Sequence, residues 1–356
     1  MTGRSDVHAD QPIAKAPDRN LALELVRVTE AAAMVAGHWV SRGDKNSADG
    51  AAVNAMRQLV HTLSMNGIVV IGEGEDGAAP MLFNGEHIGD GRGPDRDVAV
   101  DPIDGTRLTA LDMGNALSVM AVSPRGSLFG PSAVFYGEAR ERSRVGGRGR
   151  SPAAGGRERT PGCTRQDGGA VRRHRRDPGP PRYHAMVEEI RTTGARINFI
   201  TDGDVTGAIT AAREGTGLDL LVGIDGTPEG IIAACAIKTL GGAIQGRPWP
   251  ADDDERQKGI DAGHHLDRVL VTDEMVRGED VFFAANSSID GELLKGARYG
   301  GGTVRTNRSS CDRAAGRSVS SRGSTGSTSC EPIQRRAVDT CVKYPGRGWR
   351  LRRNVE

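Results

Sequence analysis

A break in texture constrains this chain more than any other feature. Between Glu138 and Arg182 there are 13 Arg, no Lys, and no Leu, Ile, Met, Phe, Tyr or Trp. Without large apolar side chains, such a stretch cannot offset the entropy of ordering it by burial. Residues 138–180 are therefore expected to be disordered and to form no element. A second break follows at about Gly300, where Arg, Ser, Gly and Cys again displace the large apolar residues. Residues 300–356 read as a disordered tail. Both stretches have the composition of an out-of-frame reading of a GC-rich gene, and they account for a chain with 50 Gly and only 4% aromatic residues.

The core must come from the patterned blocks on either side. Residues 1–17 read as a mobile arm. Leu21, Leu25, Val28 and Ala32 recur at helical spacing to about Val40, and Val53, Met56, Leu59, Val60 and Leu63 mark a second helix after the polar loop Ser41–Asp49. Ile68–Ile71 and Val98–Val100 are short buried strands, and Ser118–Val122 and Ser132–Phe135 are further strand candidates. From about Tyr183, helix 184–191, strand Arg196–Ile200, helix 205–213, strand Leu218–Val222 and helix 228–239 alternate, with strands again at Val269–Val271 and Val281–Phe283. Alternation of this kind predicts a layered α/β fold. It divides the chain into a first α/β half, 18–137, and a second, 181–299.

Acidic clusters stand where buried strands give way to loops, the place where α/β sheets hold ligands. Ile71 runs into Gly72-Glu73-Gly74-Glu75, and Val100 into Asp101-Pro102-Ile103-Asp104-Gly105-Thr106. Pro102 enforces an extended bend after the first carboxylate, and Gly105 permits a tight turn. Two carboxylates then converge while the amides of Gly105 and Thr106 open toward a phosphate. Hard Mg²⁺ or Mn²⁺ requires such oxygen ligands, and two ions about 4 Å apart can clamp an in-line phosphoryl displacement. A solvated Asx turn is the plain alternative for an isolated acidic turn. The second acidic strand end and the Thr two residues beyond Asp104 favour the metal.

Asp101–Thr106 resembles the DPxDG[ST] metal motif of inositol monophosphatases and fructose-1,6-bisphosphatases. Gly43-Asp44-Lys45-Asn46-Ser47-Ala48-Asp49-Gly50, Ile71–Glu75, Ala79-Pro80-Met81-Leu82 and Thr227-Pro228-Glu229-Gly230 resemble class II fructose-1,6-bisphosphatase in particular. The resemblance covers about 18–137 and 181–299, and implies an αβαβα sandwich that forms a homo-oligomer. It implies Asp49, Glu73, Asp101, Asp104 and Glu229 as metal or catalytic acids, Lys45 as an active-site lysine and Thr106 as the hydroxyl beside the attacking water. Asp104, Gly105, Thr106, Tyr136, Arg182, Asp202, Gly203, Asp204 and Gly226 then match residues that bind a sugar bisphosphate. The implied reaction is metal-dependent hydrolysis of fructose 1,6-bisphosphate to fructose 6-phosphate, a step of gluconeogenesis, with Mg²⁺ or Mn²⁺.

Two positions depart from the pattern. The family's Asp two residues after GEGE is displaced, since Glu75 is followed by Asp76 and Gly77. Its GIGG loop reads Gly223-Ile224-Asp225-Gly226, which sets a negative charge where bare backbone would face an anion. Asp225 keeps open a different sugar or inositol phosphate as substrate, and the two out-of-frame stretches keep open an inactive relative. The run Val171-Arg172-Arg173-His174-Arg175-Arg176 suggests a phosphate-backbone binder, but no aromatic residues interleave it for base stacking, so no nucleic-acid partner is expected. The net charge of +1 adds no general pull toward polyanions. No apolar run reaches the roughly 18 residues that span a bilayer, so no membrane partner and a cytoplasmic location are expected. The five Cys lack zinc-type spacing, and Cys235, inside the apolar run 231–237, reads as a buried small hydrophobe.

Overall fold

The computed structural model describes residues 21–73, 82–130, 136–142, 168–172, 187–188, 190–192, 194–213, 216–218, 220–250, 252–261, 263–300, 303–314 and 317–326. Two helices come first, α1 (Leu21–Gly37) and α2 (Lys45–Val60). Asp44 caps α2: its carboxylate accepts the Ser47 amide at 3.0 Å and the Ser47 hydroxyl at 2.6 Å, and these bonds hold its carboxyl below the usual range. Strands β1 (Asn66–Ile71), β2 (His87–Ile88), β3 (Asp95–Asp104) and β4 (Leu117–Pro124) follow, with the short helix α3 (Thr106–Ala110) between the last two.

These strands join β11 (Phe282–Ser287), β12 (Arg298–Gly300), β13 (Thr303–Asp312) and β14 (Arg317–Gly326) in a large mixed sheet of order β12-β13-β11-β4-β3-β1-β2, with β14 along the other edge of β13. A smaller sheet comprises β5 (Tyr136–Arg142), β6 (Gly168–Arg172), β7 (Arg196–Ile200), β8 (Leu220–Gly226), β9 (Ala243–Trp249) and β10 (Leu270–Val271), in the order β10-β9-β5-β8-β6-β7. Helices α4 (Asp204–Ala212) and α5 (Thr227–Leu240) lie between the sheets; α6 (Asp253–Asp261) and α7 (Thr272–Met275) are peripheral connections.

Period-2 alternation divides the large sheet into two cores. Val98, Val100, Met120 and Val122 face α1 and α2, where they meet Leu25, Val28 and Met56. Ala99, Val119, Ala121 and Phe283 face Val205, Ile209, Ile232 and Ile237 of the middle helices. Full burial of each large aliphatic side chain stabilises by about 1.5–3 kcal/mol. Cys235 is fully buried in the middle layer as expected, and burial pushes its thiol up to about 12. The α1 helix also meets the C-terminal strands through polar contacts. Thr29 Oγ1 donates to Asn286 Oδ1 at 2.8 Å, the Thr306 hydroxyl donates to Glu30, and the Tyr299 hydroxyl donates to the Met34 carbonyl.

This is the α/β architecture expected, seen as helices, sheet, helices and sheet. Of the helix expected at 184–191, helical turns are described at 187–188 and 190–192. The strand expected at 132–135 lies outside the described residues; the strand described there begins at Tyr136.

The expectation that 138–180 and 300–356 hold no elements is corrected by four strands. β5 runs to Arg142 between β8 and β9, and β6 pairs with β7 and β8. β13 and β14 form a ten-residue antiparallel ladder in unbroken register, Thr303↔Gly326 to Asp312↔Arg317. Large apolar residues are not needed where a ladder satisfies the backbone and small side chains find partners. Thr306, Ser309, Ser310 and Cys311 of β13 are buried, with Cys311 Sγ 3.3 Å from Ser318 Oγ.

Candidate metal centre

The candidate acids reach one region from four supersecondary units. Asp101 and Asp104 end β3, where pairing with β4 slips: Asp101 lies opposite Val119 and Asp104 opposite Leu117, so three steps on one strand match two on the other. A bulge of this kind re-aims side chains, and both carboxylates are buried. Asp101 Oδ1 accepts the Ile103 amide at 2.9 Å, which closes the turn around Pro102. Gly105 follows at φ 89° as the cap of α3, a conformation open to glycine at little cost.

β1 lies parallel to β3 with Ile71 beside Ala99. Glu73 lies two residues beyond the end of β1, near enough for its charge to act on Asp101. Asp49 is one turn into α2, four residues after Lys45 and on the same face. Glu229 opens α5 directly after Pro228. Its carboxylate folds back over Gly226: a Cβ at 226 would collide with Glu229 Oε2 and stand 3.1 Å from Cδ.

Electrostatics records the crowding. Burial raises the Asp49 carboxyl against the opposing effects of a hydrogen bond from Glu73 and the Lys45 charge. Burial, then the charge of and hydrogen bond with Asp49, then the Glu229 charge, push Glu73 up to about 8. Asp101 is held well above the carboxylate range by burial and then by Glu73, Asp104, Glu229 and Asp49.

Five acids thus share one buried neighbourhood, though among the described residues no three stand close enough together, as oriented, to enclose an ion. Asp49 Oδ1 and Glu73 Oε2 are buried and have no hydrogen-bond donor. A hard cation fits these residues on both counts. It supplies the charge that the carboxylates lack and a partner for the orphaned oxygens.

The candidate sugar-binding residues adjoin this cluster. Gly203 turns at φ 78° into α4, and its backbone packs on Leu108 of α3, the same side chain that packs on Gly105. Asp202 Oδ1 accepts the Gly203 amide at 3.1 Å, and Asp204 is buried in the first turn of α4. On the other side, Tyr136 of β5 pairs with Gly226, so these two meet through their backbones at the mouth of the small sheet. Thr106 is half-buried at the start of α3. Arg182, Glu75, Asp76 and Gly77 lie outside the described residues.

The sequence reading missed Asn115, a non-glycine residue at φ 81° whose carbonyl accepts the Thr206 hydroxyl at 2.8 Å and whose side chain accepts the Glu292 amide at 2.8 Å. An Asn two residues before a buried strand was the only available signal.

Two mixed sheets with helices on and between them, and a buried carboxylate cluster at strand ends, define a metal-dependent phosphoric monoester hydrolase of the inositol-phosphatase-like superfamily. The family model for "Bacterial fructose-1,6-bisphosphatase, glpX-encoded" matches residues 19–139 and 179–320. The chain is 36% identical over 314 residues to fructose-1,6-bisphosphatase 1 class 2 of Escherichia coli strain K12, covering 81% of this chain and 90% of that protein. It has the same identity and coverage with the class 2 enzyme of Shigella flexneri. The chain belongs to the class 2 fructose-1,6-bisphosphatase family. The match breaks off near the first textureless stretch and resumes after it, and at its C-terminal end it runs past 299 through β13 into β14.

Proposed function

We propose that this chain hydrolyses the 1-phosphate of fructose 1,6-bisphosphate, giving fructose 6-phosphate and inorganic phosphate, with Mg²⁺ or Mn²⁺. The observation that carries this reading is the convergence of Asp49, Glu73, Asp101, Asp104 and Glu229 into one electrostatically coupled set beside the Gly203 turn. In this reading residues 18–137 supply most of the metal site and 181–299 most of the sugar site, with Glu229 crossing between them.

Bound divalent cations would supply charge for the phosphoryl oxygens and lower the pKa of water. The five carboxylates would hold them. The Thr106 hydroxyl, both donor and acceptor, would hold the attacking water in line with the phosphorus–oxygen bond that breaks. Lys45 adds positive charge where negative charge develops on the phosphoryl group. Asp202 and Asp204 would accept sugar hydroxyls, with bare backbone at Gly203 and Gly226 permitting close approach. By the family resemblance Tyr136 and Arg182 would complete the sugar-phosphate contacts, and the chain would act as a homo-oligomer in the cytoplasm.

Phosphate release from fructose 1,6-bisphosphate, with Mg²⁺ or Mn²⁺ and beside Asp101→Asn, tests the assignment. Metal-dependent release that the substitution abolishes is the expected result. Asp225 makes a substrate panel necessary: faster turnover of sedoheptulose bisphosphate or an inositol phosphate would move the assignment within the family's chemistry. No release from any of them by folded protein would overturn it.

A further inference from the structure

The metal-side turn and the sugar-side turn belong to different halves of the chain, and something must fix their separation. Two contacts do so. Leu108 is wedged between the glycine turns: an ideal Cβ would stand 2.8 Å from Leu108 Cδ1 at Gly105 and 3.1 Å from it at Gly203. The second contact is the Asn115 carbonyl, 2.9 Å from an ideal Cβ at Gly203, which accepts the hydroxyl of Thr206 at 2.8 Å. Thr206 is buried in the first turn of α4, two residues beyond Asp204.

Asn115 is itself held. Its left-handed φ of 81°, a region open to Asn more than to most residues, turns the carbonyl toward α4. Its Oδ1 accepts the Glu292 amide, and Gly291 leaves room for this, since a Cβ there would stand 2.5 Å from that oxygen. A residue with no place in the chemistry therefore ties the 291–292 turn and the sugar-side turn to the strand that leaves the metal-side helix.

We propose that Thr206 and Asn115 are positioning residues that set the sugar-side turn Asp202-Gly203-Asp204 against the metal-side turn Asp104-Gly105-Thr106, and so determine affinity for the sugar part of the substrate. The inference rests on the assignment of a sugar phosphate to this site. Thr206→Val removes the hydroxyl at nearly constant shape and leaves the half-buried Asn115 carbonyl without this donor, whereas Thr206→Ser keeps the donor. Losing such a bond corresponds to about a tenfold effect.

The test combines steady-state kinetics with amide hydrogen exchange on the full chain. In Thr206→Val, KM for fructose 1,6-bisphosphate is expected to rise about tenfold, with kcat and the half-activating Mg²⁺ concentration within about twofold of the parent. Exchange in 202–208 is expected to quicken about tenfold while 106–110 stays unchanged, and Thr206→Ser is expected to restore both. Asn115→Gly, which keeps the φ but loses the tie to Glu292, is expected to act in the same direction, and it serves if Thr206→Val does not fold. Parent-like exchange in 202–208, equal acceleration across the whole fold, a loss confined to kcat, or no recovery with Ser would each overturn the proposal. If the parent turns over no sugar phosphate, the functional assignment fails, and the exchange data alone decide whether the two residues hold the turn.

Discussion

Glu73 offers the sharpest test of a carboxylate cluster built for a cation, because metal should oppose the effect that the same substitution has without it. Its carboxyl is pushed from about 4.5 up to about 8 by burial and by Asp49. That difference corresponds to about 5 kcal/mol between the two protonation states, at about 1.4 kcal/mol per pH unit. The sign follows from proton linkage. The folded state binds the proton more tightly than the unfolded one, so the stabilisation is fully present below about pH 4.5 and lost as pH rises to about 8. Metal-free protein should therefore weaken steadily over that range. Glu73→Gln cannot ionise and should escape the loss, so urea midpoints in EDTA should coincide near pH 4.5 and favour the variant at pH 9 by a few kcal/mol, with about 5 as the upper bound. Saturating Mg²⁺ should narrow that difference. At 100 times its dissociation constant a ligand adds about 2.7 kcal/mol to the parent, and the variant, short of one charged oxygen donor, should gain much less. Parallel pH curves in EDTA, or equal stabilisation of both proteins by Mg²⁺, would refute the reasoning.

Gly226→Ala should drive a methyl into the Glu229 carboxylate and raise the half-activating metal concentration about 10–100-fold, read by activity against free Mg²⁺, while the melting temperature in EDTA changes little. Gly203→Ala places a Cβ at φ 78°, 2.9 Å from the Asn115 carbonyl; strain of about 1–2 kcal/mol should appear in urea unfolding, and KM should rise. Lys238 is buried and donates to Asp273 at 2.7 Å and to the Val276 carbonyl at 2.8 Å. Lys238→Met leaves the exposed Asp273 to water but orphans the carbonyl, so a loss of about 1–3 kcal/mol in urea unfolding is expected, without change in metal response.

What the sequence disclosed followed from burial. Val98–Val100 was legible as a strand because both its faces are covered, and Ile68–Ile71, half-buried on one face, because it is an unbroken β-branched run; Glu73, Asp101 and Asp104 drew notice because acids rarely end such runs. Asp49, Lys45 and Glu229 lie on helices where a solvated charge is ordinary, and only the family resemblance singled them out. The parallel pairing that brings Glu73 near Asp101 joins segments about 30 residues apart, and no local pattern encodes it. The strands β5, β6, β13 and β14 were missed because they pair through backbone ladders, to which hydrophobic periodicity is blind. Asn115 was missed because its carbonyl and side chain act through partners far along the chain, the side chain on a residue 177 positions away, which no local pattern encodes.

The polar seam between α1 and the C-terminal strands has a consequence for biosynthesis. Thr29 bonds a residue 257 positions away and Glu30 one 276 positions away, so the first of the described helices to leave the ribosome has partners among the last of the described strands. At about 5–20 residues per second, Glu30 precedes Thr306 by roughly 14–55 s. During that interval the apolar face of α1 can rest on α2, β3 and β4, but its contacts to β11 and β13 must wait. Closure of the large sheet is thus a late, long-range event, and a nascent chain halted before β13 would present a partly uncovered helix to chaperones and proteases.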